Sequence, residues 1–408
     1  MRTTLRHELE KLEAPVLVII DDIDRLTKRE IRLLVQLVKG NANFPNVVYL
    51  LLYQKNIVAD ALDKITSEEG EDFLRKIVQV ELEVPAAPDH KLRQMFQDGI
   101  YRIWPRGAFP WDHRQNERWR KTFEDAVWPF FCTPRDVKRF LSVYEFYFEA
   151  QINDGVLEVN PIDLVLLETL RTFDPEAYEA VSRAFQKQRN IFLEIQFDIK
   201  EARDRFVLGI KALIDERGLD ESRKRRLKAL LNGLFPQASE HAASNSEEWN
   251  RDLRICYAGH FPKYFQLAPD PGDVSAALLA RIAAVESDRE QARTLLQDAI
   301  RSGAFVALLG RLRTVHADLP NSSVEAIITA LFDISDELPE MKHDLSFDGD
   351  VEREIGRLTA FLLTKFPDVP AREAMLLRAV GTTSAVSAPV FCVSLLEPQP
   401  EEKQPSDQ

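Results

Sequence analysis

Asp21 and Asp22 stand side by side at the end of an unbroken apolar run, Val16-Leu17-Val18-Ile19-Ile20, and Asp24 and Arg25 follow closely. Adjacent carboxylates at a strand end suit two tasks on a polyphosphate. One can face a Mg²⁺ that bridges phosphate oxygens, usually through a water, and the next can orient or deprotonate the attacking water. On this reading Asp21 is the metal-side residue and Asp22 the catalytic base. Asp also ends strands simply by capping the loop beyond, so the pair needs its surroundings before it means chemistry.

Those surroundings are an alternation of strands and helices. VLVII reads as a parallel-sheet strand buried on both faces. Thr27 and Glu30 form a capping box, and the apolar spacing of Ile31, Leu34, Val35 and Val38 predicts a helix to about Lys39, stopped near Gly40. A second buried strand, Val47 to Tyr53, ends in Gln54. A helix from about Ile57 and a third strand, Ile77 to Val84, stopped by Pro85, complete a right-handed α/β unit. Beyond Pro88 the periodicity is helical to about Lys365. The expected class is α/β followed by all-α: a partial parallel sheet with a large helical C-terminal region.

The whole composition narrows the partners. Fifty-three basic against 66 acidic side chains leave a formal charge of −13, which argues against general electrostatic grip on nucleic acid. Cys132, Cys256 and Cys392 are far apart and form neither a CxxC pair nor an even disulfide set, which points to a reducing, intracellular compartment. The longest apolar runs reach seven residues, against roughly 18–20 for a membrane span. Localisation is read as cytoplasmic, with a place at the inner face of a membrane left open.

The apolar run closed by Asp21-Asp22 is a Walker B arrangement. The strings VLVIIDDIDRL, DFLRKIVQVELEVP (Asp72 to Pro85) and TPRDVKRFL (Thr133 to Leu141), with the strand ending at Gln54 between the first two, resemble the KAP family of P-loop NTPases in order and spacing. DLVLLETLRTFDPEAY (Asp163 to Tyr178) and RICYAGHFPKYFQL (Arg254 to Leu267) are similar to that family's helical continuation. The resemblance implies ATP and Mg²⁺ as ligands, bound at the carboxyl ends of the strands, with hydrolysis driving a signalling or phage-defence switch. It carries Walker B roles to Asp21 and Asp22 and a sensor of the γ phosphate to Gln54, where many relatives have Asp. It assigns Arg135 as a second sensor leaning across the nucleotide, and Arg25, Arg75 and Lys76 as weaker candidates. A protein partner or self-association is implied as well.

The phosphate cradle is the counter-signal. None of the fifteen glycines is followed by Lys, so G-x-x-x-x-G-K-S/T does not occur in these 408 residues. The loop-bearing strand of such sheets lies between the strand ending at Tyr53 and the one near Val80. Without it Val47, Val48, Leu50, Leu51 and Leu52 should be left exposed, forfeiting roughly 1.5–3 kcal/mol each. The expectation is a C-terminal portion of a longer or split NTPase, ATPase-active only when completed. A catalytically silent interaction protein with a vestigial Walker B strand is the alternative. Expected boundaries are 1–88 for the half core, 89–160 for a helical lid carrying Arg135, 161–268 and 269–395 for further helical regions, and 396–408 for a solvated tail.

Other signals are set aside on physical grounds. Trp104, Arg106, Trp111, Arg114, Arg118, Trp119, Arg120 and Trp128 interleave as in single-strand binders, but a packed helical lid needs the same residues. Ser222 to Lys228 reads as a solvated basic turn, and Asp344 to Asp350 as a capped turn, because Ile355 stands where a calcium loop needs Glu. Cys256 and His260 lack a second ligand pair for zinc and suggest packing.

Overall fold

The computed structural model describes residues 2–41, 44–63, 70–104, 112–183, 209, 214–215, 218–236, 246–257, 259–267, 273–336, 338 and 351–396. Two compact units divide the chain, Met1–Ala86 and Ala87–Gln408.

The first unit runs α1 (Arg2–Glu10), β1 (Val16–Ile20), a 3₁₀ turn (Ile23–Arg25), α2 (Lys28–Asn41), β2 (Val47–Leu51), α3 (Lys55–Leu62) and α4 (Gly70–Arg75). β1 and β2 pair in parallel, from Val16↔Val47 to Ile20↔Leu51. The Thr27/Glu30 box opens α2: both the backbone N–H and the hydroxyl of Thr27 donate to Glu30 Oε2, at 2.8 and 2.7 Å. Ile23, Ile31, Val35, Val58, Leu62, Phe73 and Leu74 form the core, with Ile20, Leu51 and Tyr53 packed against it.

Among the described residues, helices cover only one face of this sheet. Register partners share a face, and the partners Leu17 with Val48 and Ile19 with Leu50 are 55, 51, 60 and 45% exposed. The reading of VLVII as buried on both faces is therefore corrected. Of the five residues expected to lie open, Val48, Leu50 and Leu52 are exposed, while Val47 and Leu51 are half-buried.

The third strand is also corrected. Ile77 and Val78 still donate to Leu74 O, at 2.9 and 2.8 Å, as a tail of α4, and residues 79–86 then run outside any sheet. Val80, Leu82 and Val84 are 72, 85 and 91% exposed. Alternating apolar residues make a strand only against a neighbour, and among the described residues the sheet has two strands.

In the second unit α5 (Asp89–Ile103), α6 (His113–Thr122), α7 (Pro134–Ala150) and α8 (Pro161–Phe173) enclose a large core with the helix Glu221–Leu234. The purely helical expectation misses a small antiparallel hairpin, Ile152–Asn153 with Val156–Leu157. Its turn residues Asp154 and Gly155 have φ of 47° and 79°, the left-handed pair that two-residue hairpins require. A second core gathers the helices from Ala276–Ala283 onward. Helix continues past Lys365, as Val369–Thr382 and Ser387–Leu396.

The described tryptophans of the aromatic-basic segment pack in or against the core. Trp104 Nε1 donates to Tyr144 Oη at 2.6 Å, Trp104 and Trp119 meet edge to face at 5.1 Å, and Trp128 stacks on Phe131. Arg118 is held by Asp163, and Arg114 by Asp112 at 2.9 Å. Arg106, Trp111 and the segment Asp344 to Asp350 lie outside the described residues.

Candidate functional site

Parallel pairing decides what meets at the sheet's carboxyl edge. Because Ile20 is the partner of Leu51 and Leu52 N–H reaches Ile20 O at 2.9 Å, Asp21-Asp22 and Tyr53-Gln54 leave the sheet side by side. Both aspartates and Gln54 are exposed. Asp21 Oδ1 accepts the N–H of Asp22 at 2.7 Å. Asp22 has φ 57° and ψ 32°, the left-handed region, and its carboxylate lies 3.0 Å from Arg25 Nε. Ile23, 2% exposed, pins the turn into the core.

Gln54 is the N-cap of α3, and its carbonyl accepts from Val58 N–H at 3.1 Å, while its side chain makes no capping bond. Beside it Lys55 Nζ pairs with Glu81 at 2.9 Å, and that hydrogen bond raises the lysine's pKa. Burial, and then the Glu81 charge, raise the Tyr53 phenol. Lys55 and Glu81 were not singled out from sequence. Nothing but adjacency to Gln54 marks Lys55, and Glu81 is one of two glutamates in an alternating stretch.

Arg135 occupies the first turn of α7 in the second unit, with its side chain exposed. Its helix start is sound: Asp136 N–H donates to Thr133 Oγ1 at 3.2 Å, and Thr133 N–H donates back to Asp136 at 2.9 Å, with Pro134 at the first position. Arg25 is paired with Asp22, and Arg75 with Asp72 at 3.4 Å.

The donor set fits magnesium in one particular way. Among the described residues no three His, Cys, Asp or Glu side chains gather as an all-protein cage. Mg²⁺ usually takes one or two carboxylates and completes its octahedron with phosphate oxygens and waters. One exposed aspartate at a strand end suits that role, and a glutamine beside it can hydrogen-bond a water or phosphate oxygen.

Two parallel strands bring an acidic pair and a glutamine to one carboxyl edge, the edge at which open α/β sheets place their ligands. Residues 1–146 match the family described as KAP family P-loop domain. The phage T7 exclusion protein of Escherichia coli (strain K12) is 23% identical over 180 residues, 44% of this chain. The match spans 24% of that protein's length. No solved structure matches the chain.

Proposed function

We propose that this chain is the Walker B portion of a KAP-type NTPase that binds and hydrolyses ATP with Mg²⁺ as a switch in phage defence. The observation that carries the reading is the register pairing of Ile20 with Leu51, which sets Asp21 and Asp22 beside Gln54. Asp21 holds the metal side, Asp22 takes the proton of the attacking water, and Gln54 orients that water or a γ-phosphate oxygen. Arg135 is the charge that closes on the nucleotide. Bound Mg²⁺ would neutralise the phosphate oxygens as charge develops on them.

The phosphate cradle comes from a segment outside these 408 residues. Two features support this. Among the described residues the apolar face of Leu17, Ile19, Val48 and Leu50 is uncovered, and Val80, Leu82 and Val84 form a strand-like stretch without a ladder, tied to the start of α3 through Lys55 and Glu81. A strand carrying the glycine loop would use both. The working place of the assembly is the cytoplasm or the inner membrane face, and the antiphage role follows the name of the Escherichia coli relative.

A scaffold reading has one observation in its favour: Asp21 and Asp22 already serve their own turn, through the Asp22 N–H and Arg25. The two are separated by ATP hydrolysis measured on the chain alone and joined to a KAP-type P-loop segment, with Asp22→Asn as control. Activity that appears only on joining and falls at least a hundredfold in the variant supports the enzyme. Equal rates in both joined proteins reject it.

A further inference from the structure

Within the second unit two hydrophobic cores are joined by a polar seam. The first core ends at the segment Phe261–Phe265, and the second begins with Val274. Across the seam Asn250 Nδ2 donates to Thr314 Oγ1 at 3.1 Å, Arg311 Nη1 donates to Asn250 O at 2.7 Å, and Lys263 Nζ donates to Val274 O at 2.9 Å. Glu158 caps the helix Ala276–Ala283 by accepting from Ala276 N–H at 2.6 Å.

His260 sits in the middle of this seam and is 3% exposed. Its Nε2 is 2.9 Å from Asn250 O and 2.9 Å from Arg311 Nη1. Nε2 thus faces an acceptor and a donor, so it can donate to the carbonyl or accept from the guanidinium. A doubly protonated ring carries a hydrogen on Nδ1 in either case, and Nδ1 is buried with no acceptor among the described residues.

Arg311 from the helix Phe305–Val315 and Lys263 from the segment Phe261–Phe265 face the ring with positive charge, the Asn250 carbonyl alone favours a proton on it, and the Tyr257 ring lies at 5.1 Å. The Glu158 carboxylate is committed to Lys263 at 3.6 Å and to the Ala276 N–H. Burial first, then the Arg311 and Lys263 charges, hold the imidazole well below its ordinary value.

We infer that His260 is a proton-sensitive gate on the attachment of the C-terminal helical body to the middle helical body, closed while the ring is neutral and opened by acid. An opened seam exposes the ring and lets it take a proton that the closed seam refuses. The opening equilibrium therefore rises as pH falls below about 6.5, by up to tenfold per pH unit. Arg311 is the positioning residue whose charge sharpens the response.

The test uses the full chain. Amide exchange at 246–267 and 305–315, corrected for intrinsic rates, reports opening between pH 7.5 and 5.5 for wild type, His260→Gln and Arg311→Gln. Wild type should open severalfold or more as pH drops from 6.5 to 5.5, His260→Gln should be flat, and Arg311→Gln shallower. A flat wild type, or a folded His260→Gln that follows it, overturns the inference. Histidine ring NMR on wild type gives a readout that needs no variant. The His260 ring should stay neutral at pH 6, and titration near pH 6.5 in the closed protein overturns the gate as well.

Discussion

Asp22 and Arg25 face one another across a single 3₁₀ turn, carboxylate to guanidinium at 3.0 Å, with Asp22 held at φ 57°. The left-handed region costs an ordinary side chain about 1–2 kcal/mol, and Asp and Asn tolerate it best. The turn thus separates what the fold needs at this position from what phosphate chemistry needs. Asp22→Asn should melt within about 0.5 kcal/mol of wild type, whereas Asp22→Val should lose about 1–2 kcal/mol from the first unit. Chemical denaturation followed by circular dichroism reads both. A folded Asp22→Asn is what makes it a clean control for hydrolysis, and a strongly destabilised one would remove that use.

The uncovered face of the sheet predicts how the chain behaves alone. Leu17, Ile19, Val48 and Leu50 make a contiguous apolar surface of the kind that recruits partners or aggregates. The double variant Leu17→Ser, Leu50→Ser should weaken binding of a hydrophobic dye and shift light scattering toward monomer, with little loss of stability. Ile31→Ala, in the covered core, should instead cost about 2–5 kcal/mol. Equal destabilisation by both would mean that the face is covered in solution.

Local patterns carried most of what the sequence made legible. Thr27 with Glu30 and Thr133 with Pro134 specify helix starts through neighbours within one turn, and both starts form. Asp154-Gly155 was an equally local hairpin signal that the helical reading passed over, and Asp368-Val369-Pro370 was a readable start for a late helix. The Val80, Leu82, Val84 alternation makes no strand because a strand is a property of two segments, and no described segment supplies the second. The edge shared by Asp21, Asp22 and Gln54 follows from parallel pairing alone. The seam around His260 has no sequence signature, since its partners Asn250 and Arg311 lie 10 and 51 residues away.

Distance in sequence also hid a buried charge cluster. Asp163 in α8 is fully buried, is ion-paired with Arg118, and accepts from Arg254 Nε at 2.8 Å and Ile255 N–H at 2.9 Å. Asp163→Ala leaves two guanidinium groups without their carboxylate, and removing one partner of a buried pair typically costs about 3–5 kcal/mol. Urea unfolding of the second unit should show that loss, and Asp163→Asn should recover only part of it, because an amide accepts hydrogen bonds without neutralising charge. A loss under about 1 kcal/mol in the alanine variant would show that solvent reaches this cluster.

Glu168, one turn further along α8, makes the opposite prediction from His260. Its carboxyl is buried, with Arg171 Nη1 2.9 Å from Oε2, and burial outweighs that partner to push the pKa up to about 8. The unfolded chain releases this proton near the ordinary glutamate value of about 4.3, while the folded chain keeps it to a much higher pH. Between those values the folded state binds more protons, so stability falls as pH rises, by up to about 1.4 kcal/mol per pH unit. Glu168→Gln keeps the shape without the titration. It should therefore melt higher than wild type at pH 8 and converge with it near pH 5, as measured by thermal melts across that range. A variant that loses stability equally at both pH values would show that the carboxylate is ionised in the fold and held by Arg171.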